Sequence, residues 1–340
     1  MTHNRSTKAR QPDRERSRGD SPLEVTEALR GILIAQIETA RRRLLARRVP
    51  SDSSIHAARK TLKRARATLR LLRAALADAT YRRANTTLRD AGAGLRAARD
   101  AKVLLHTVDA LLGSEPHLVQ AVLGSLGRML ERERVAASRA LVRDGHGVAW
   151  SVINILTSLA ADVQRWRVSR ADSAYVVVAL RRIYKKSRKA MALATVRRTD
   201  ASLHEWRKQL KYFVYQLQLL QPLRPKYLGK RLRMARHLAG MLGLAHDLAV
   251  LRQKIKLQTG RTITRAELSA FVAALDRRRL AAQKKSDALG RRLFAQTPRR
   301  LVHRLDTHSL LARTLTAAYI ANRPASSSRR VSAGLAFPAT

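Results

Sequence analysis

Apolar residues return every three or four positions through most of this chain, and sustained strand-type alternation is absent. Breaks rich in Pro, Gly and Ser divide the pattern into ten predicted helices. The first covers about Pro22–Arg48, with Pro22 suited to the first helical position. The second follows the turn at Pro50–Ser54 and runs to about Ala77; the third covers about Tyr81–Leu112. The fourth starts at Ser114-Glu115-Pro116 and ends near Asp144, and a Gly145-His146-Gly147 break precedes the fifth, about Val148–Arg167. The sixth covers about Asp172–Ala194. The seventh opens at Ser202-Leu203-His204-Glu205, a capping-box pattern, and stops before Pro222. The eighth covers about Lys226–Gln258. The ninth opens with a second capping box, Thr264-Arg265-Ala266-Glu267, and ends near Gln296, and the tenth runs from Pro298 to about Ala321. Residues 1–20 and 322–340 are polar or Ser/Pro-rich and read as a disordered basic arm and a disordered tail.

The helical pattern repeats. Ile55-His56-x-x-Arg59-Lys60-x-x-Lys63 returns 148 residues later as Leu203-His204-x-x-Arg207-Lys208-x-x-Lys211. Arg99-Asp100-x-x-Val103-Leu104 returns at nearly the same spacing as His246-Asp247-x-x-Val250-Leu251. Two patterns at one spacing imply an internal duplication. Helices one to five therefore match six to ten. The fold class expected is all-α: two helical bundles of about five helices each, residues 21–170 and 171–321, related by a pseudo-twofold axis.

Placed on a helical wheel, Arg59, Lys60, Lys63, Arg66 and Arg70 all fall within about 80° of His56. Ala58, Leu62, Ala65, Leu69, Leu72 and Leu76 gather opposite. The seventh helix does the same: His204, Arg207, Lys208, Lys211 and Tyr215 share one face, and Leu210, Phe213, Leu217 and Leu220 the other. Like charges at such spacing destabilise a helix by about 0.2–0.5 kcal/mol per pair, so two matching stripes read as binding faces. The sixth helix offers Arg181, Lys185 and Arg188, either a further wall or a plain solvent face. The two histidines are read equally as donors to phosphate, with a pKa raised by nearby anions, or as packing residues. Asp100 and Asp247 are expected to orient neighbouring Arg or His rather than to catalyse, since one carboxylate per half gives no acid/base pair.

Composition sharpens this picture. Lys plus Arg number 69 against 24 acidic residues, a formal net charge of +45, so the partner is expected to be a polyanion. Most of the cations are Arg, which grips phosphate bidentately. Aromatics are only 4%, which counts against base-stacking modules for single-stranded nucleic acid. Cysteine is absent, which excludes disulfides, thiol catalysis and cysteine-ligated zinc. There is no phosphate-binding glycine loop and no His-Glu-x-x-His. The first twenty residues hold no secretory signal and no segment is apolar enough to insert in a membrane, so a cytoplasmic address is expected.

The words that carry these faces resemble the CHAD family, the conserved-histidine α-helical domain. Besides the two His-x-x-Arg helices, they are Asn85-x-x-Leu88-Arg89-Asp90-Ala91, Arg99-Asp100-Ala101-x-Val103-Leu104-Leu105, Tyr184-x-x-x-Arg188 and His246-Asp247-Leu248-Ala249-Val250-Leu251. The resemblance covers roughly residues 22–320. It implies two pseudo-symmetric bundles around a basic central groove that binds inorganic polyphosphate, in some members at polyphosphate granules. Carried over by position, the groove residues are His56, Arg59, Lys63, Arg66 and Arg70, then His204, Arg207, Lys208 and Lys211. Arg89, Arg99, Arg236 and His246 follow on later helices. Tyr212, Phe213 and Val214 stand where many members continue with Arg, so the second half is expected to hold fewer phosphates. The catalytic Glu-x-Glu-x-Lys strand joined to some members has no counterpart; Glu131-Arg132-Glu133 lies in a helical stretch and lacks the Lys. The expectation is thus a polyphosphate-binding protein without catalytic residues, metal or cofactor, the alternative being non-specific nucleic-acid binding.

Overall fold

The computed structural model describes residues 22–322 except 48, 113–119, 143–146, 169–173, 257–263, 304 and 306–307. The expectations for residues 1–20, for the tail beyond Asn322 and for the breaks at Ser114-Glu115-Pro116 and Gly145-His146 lie outside the described residues. The elements are α1 (Pro22–Leu45), α2 (Asp52–Leu71) with a 3-10 turn at Leu72–Ala75, α3 (Asp78–Gly94), α4 (Arg96–Leu112), α5 (Gln120–Val142) and α6 (Val148–Gln164). They continue as α7 (Ala174–Arg197), α8 (Asp200–Leu220) with a 3-10 turn at Gln221–Leu223, α9 (Pro225–Lys256), α10 (Arg265–Leu293), α11 (Pro298–His303) and α12 (His308–Asn322). The described chain contains no strand and is all-α.

Three local expectations are corrected. The predicted third helix is two, α3 and α4, broken at the buried Leu95. Gly92 and Gly94 in the last turn of α3 weaken the helix there, and burial of Leu95 fixes the turn. The predicted tenth helix is also two, α11 and α12, because the chain turns at Leu305 so that Leu301, Leu305, Leu311 and Leu315 all reach the core. The seventh predicted helix starts earlier than its capping-box pattern suggests. Thr199 is the N-cap of α8 and accepts a bond from the Ser202 amide at 3.2 Å, while the Ser202 hydroxyl bonds back to the Thr199 carbonyl. The box at Thr264 forms in full, with Glu267 accepting from the Thr264 amide and Thr264 accepting from the Glu267 amide.

Packing follows from the apolar stripes. In the first half α1 lies against α2 and α6, and α3 bridges α2 and α6; in the second α7 lies against α8, and α9 against α8 and α10. The halves meet where α2 packs directly on α8 and where α12 packs on α1. One core runs through both, from Leu29, Ile32 and Leu62 to Trp206, Phe213 and Phe294. A second, smaller core joins Leu104, Val108 and Leu111 of α4 and Leu126 and Leu130 of α5 to Leu248, Leu251 and Ile255 of α9 and Phe271 and Leu275 of α10. Two contacts locate the symmetry axis. Thr26 Oγ1 meets Tyr175 OH at 3.1 Å and Gln216 Nε2 donates to the Ala67 carbonyl at 3.3 Å, each across 149 residues. Each contact joins a residue to a neighbour of its own repeat counterpart, one between α1 and α7 and one between α2 and α8, as a pseudo-twofold arrangement requires near its axis.

Close packing inside the second half, between α7, α8 and α10, is tested by glycine. A Cβ on Gly290 of α10 would lie 2.7 Å from Met191 Sδ and 2.8 Å from the buried Trp206 ring, whereas one on Gly240 of α9 meets nothing within 4 Å. Gly290→Leu is expected to cost about 1–3 kcal/mol of stability through overpacking. Gly240→Leu is expected to be neutral or slightly stabilising, since it removes a helical glycine. Thermal or denaturant unfolding of the two variants checks the contrast.

Candidate functional site

The amphipathic reading of α2 is realised with one exception. Ile55, Ala58, Leu62, Ala65 and Leu69 are buried, Lys60 is exposed, and Lys63, Arg66 and Arg70 are half-buried on the opposite side. His56 is exposed near the N-terminal end of α2. Arg59 departs from the stripe. It is only 7% exposed, and its Nη1 donates to the Gly92 carbonyl at 2.6 Å. That carbonyl is among the last four of α3, which have no acceptor role left inside the helix. A cationic donor at a helix C-terminus satisfies both the hydrogen bond and the helix dipole. The break at Leu95 and the Arg59 cap are thus one feature. Arg207, its counterpart on α8, is half-buried and runs beside Gly243 of α9, where that helix continues unbroken.

Cations of the first half reach onto the second. The Arg70 guanidinium lies 3.7 Å from the centre of the Tyr212 ring on α8, and that of Arg66 lies 5.6 Å from it. Both arginines are steered there: Arg66 Nε donates to Asn85 Oδ1 of α3 at 3.3 Å, and Arg70 Nη1 to the Arg66 carbonyl at 3.0 Å. Burial, more than anything else, lowers the Arg66 pKa; Arg70 and Arg89 lower it further, against the pull of Tyr212 and Tyr81. Tyr212 stands in the repeat where Arg64 stands in α2, so an aromatic platform replaces a further cation. Arg89, on the exposed side of α3, is held by Asp90 at 2.8 Å.

A second set gathers at the start of α8. The His204 ring lies 5.0 Å from the His246 ring of α9. The pKa of His204 is pushed down, first by burial, then by Arg207 and Lys208, with Glu205 opposing and Arg96 of α4 adding to the fall. Bound anions would raise this value; without them burial and the surrounding cations depress it. Arg96 belongs to the first half, so this cluster is also shared. Lys208 is tied to Glu205 at 2.7 Å. Lys211 and Tyr215 lie further along the same helix, half-buried, and Arg236 is exposed on α9. The Arg99 side chain lies outside the described residues. Asp247 lines a cavity of about 250 Å³ between α4, α9 and α10, with His106, Thr107 and Arg278.

The α7 cations are not among the charges that act on Arg66 or His204. Arg181 is half-buried and Lys185 and Arg188 are exposed; Arg188 acts on Tyr184, whose other cationic neighbour is Arg231. Sequence reasoning missed Arg96, Glu205 and the role of Tyr212. The glycine pair at Gly92 and Gly94 was the available signal for Arg96, since it marks where the chain turns. Among the described residues no cluster of His, Asp or Glu has the numbers to hold a metal ion.

The architecture is an all-helical internal repeat whose junction is lined by cations from both copies. A family model for the CHAD domain matches residues 31–256, two thirds of the chain, and the protein belongs to that family. No curated protein matches the chain. Among solved structures, PptA from Streptomyces chartreusis is similar with a TM-score of 0.55 and 16% identity, over 80% of this chain and 98% of that one. The CHAD domain from the plant Ricinus communis is similar with a TM-score of 0.50 and 21% identity, over 82% of this chain and 91% of that one. At such identities the likeness is one of fold.

Two outcomes follow from the geometry. Arg59→Ala strips the α3 terminus of its cap and leaves a pocket beside it, and is expected to cost about 2–4 kcal/mol, read as a lowered midpoint of thermal unfolding. His204 has a folded pKa below its unfolded value of 6.5. The native state therefore binds fewer protons than the unfolded chain around that pH, and stability falls as pH drops through this range. His204→Gln is expected to flatten that part of the stability–pH curve, and an NMR titration of the ring is expected to read below 6.5.

Proposed function

We propose that this protein binds inorganic polyphosphate along the α2/α8 junction and performs no catalysis there. The observations that carry the reading are the convergence of Arg66 and Arg70 from one half with Tyr212 from the other, and the second cationic set of Arg96, Arg207 and Lys208 around His204. Each set holds like charges together, and one member of each, Arg66 and His204, has its pKa driven down, so each gains free energy when an anion enters. A polymer of phosphate without bases suits a surface of Arg, Lys and His, and membership of the CHAD family supports that choice. His56, Lys60, Lys63, Lys211, Tyr215 and His246 extend the same two faces in this reading. Localisation at polyphosphate granules in the cytoplasm is the setting it suggests. Arg59 contributes chiefly by holding α3 rather than by gripping phosphate.

The test is a titration with polyphosphate and with duplex DNA over a series of salt concentrations. Wild type is expected to prefer polyphosphate at physiological salt, with affinity falling linearly in log salt. Arg70→Gln with Lys208→Gln is expected to weaken polyphosphate binding about tenfold or more per cation, and to reduce the salt slope, while the helical spectrum stays unchanged. Equal affinity for DNA would favour general nucleic-acid binding instead. Affinity is also expected to rise as pH falls, because the bound anion raises the depressed pKa of His204 and proton uptake accompanies binding.

A further inference from the structure

The outer face of α7 carries charge that neither half of the junction uses. Val178, Arg182, Lys186, Lys189, Leu193 and Val196 are all exposed and recur at helical spacing, within about 80° of one another around the axis. The opposite face, with Val176, Leu180, Ile183, Ser187 and Ala190, is buried in the bundle. No acidic residue occurs in α7. Among the described residues no ion pair engages Arg182, Lys186 or Lys189. Large apolar side chains stand at both ends of the cationic stretch: Val178 is 50% exposed, Leu193 40% and Val196 82%. The adjacent α10 adds Leu280, 45% exposed.

We propose that this stripe docks α7 in the plane of an anionic lipid surface. The chemistry of the stripe chooses the occupant. A phosphate polymer satisfies the cations but gives Val178, Leu193 and Val196 nothing to bury against. A partner helix would have to desolvate three charges at the centre of the seam, and lysine is depleted from protein interfaces. At a bilayer, Lys and Arg place their heads among the phosphates while their stems and the flanking apolar residues enter the headgroup boundary. Each cation near an anionic leaflet adds favourable energy, an attraction that falls off within a Debye length of the surface. The face is peripheral in this role: no helix among the described residues is long and apolar enough to cross a membrane.

The experiment is co-sedimentation of the full chain with vesicles of phosphatidylcholine containing one third phosphatidylglycerol, near physiological salt. Wild type is expected to bind these and to ignore pure phosphatidylcholine. The triple variant Arg182→Gln, Lys186→Gln, Lys189→Gln is expected to bind about a hundredfold more weakly. Leu193→Ser with Val196→Ser is expected to lose about tenfold at unchanged charge. Both are expected to keep polyphosphate affinity and the melting temperature. A control triple on the far side of α10, Arg277→Gln, Lys285→Gln, Arg292→Gln, removes the same charge and is expected to lose far less. Equal loss by the control, or no loss on removing Leu193 and Val196, would reduce the stripe to undirected charge attraction. Retention of vesicle binding by the triple α7 variant would overturn the proposal, and so would vesicle-like capture of poly-glutamate that depends on Leu193 and Val196.

Discussion

Repulsion between cations that the fold forces together governs this structure. The apolar stripes of α2 and α8 have to meet to close the core, and their polar faces lie beside that seam. Arg66 is held beside Arg70, and His204 beside Arg207 and Lys208, by hydrophobic packing rather than by any attraction of their own. The strain is partly relieved in place. Tyr212 offers Arg66 and Arg70 a π face, Asn85 accepts from Arg66, and Glu205 neutralises Lys208. The pKa values of Arg66 and His204 are depressed, by burial first and by the neighbouring cations second.

The two copies of the repeat have diverged in how they use one motif. In the first, Arg59 is drawn inward to the end of α3, because that helix stops at Gly94 and exposes a carbonyl at Gly92. In the second, α9 runs without interruption past Gly243, and Arg207 lies along it near His204. One guanidinium secures a helix terminus and the other contributes charge to the junction. The helix break also turns α4, and with it Arg96, toward the second copy.

Much of this was legible from residue spacing. The apolar periodicity located the helices, the duplicated His-x-x-Arg words located their counterparts, and the Thr264–Glu267 box located the start of α10. The failures have a common physical origin. Helix continuity through Leu95 and through Leu305 was decided by which leucines the distant core could accept, and no local pattern carries that information. Arg59 sits on the polar arc of the wheel yet is buried, because a carbonyl from α3 lies within its reach. The wheel describes a helix alone and is blind to its neighbours. Tyr212 read as a missing cation for the same reason: its partners come from the other half of the chain.

The smaller core bears on how such a chain could exist at all. Its leucines come from α4 and α5 on one side and from α9 and α10 on the other, so neither copy can hide them unaided. A single ancestral repeat would have left this wing wet and sticky until a second molecule covered it. Carrying both copies on one polypeptide makes that pairing independent of concentration. It then frees each copy to lose its symmetry, as a break in one long helix and an unbroken run in its twin record.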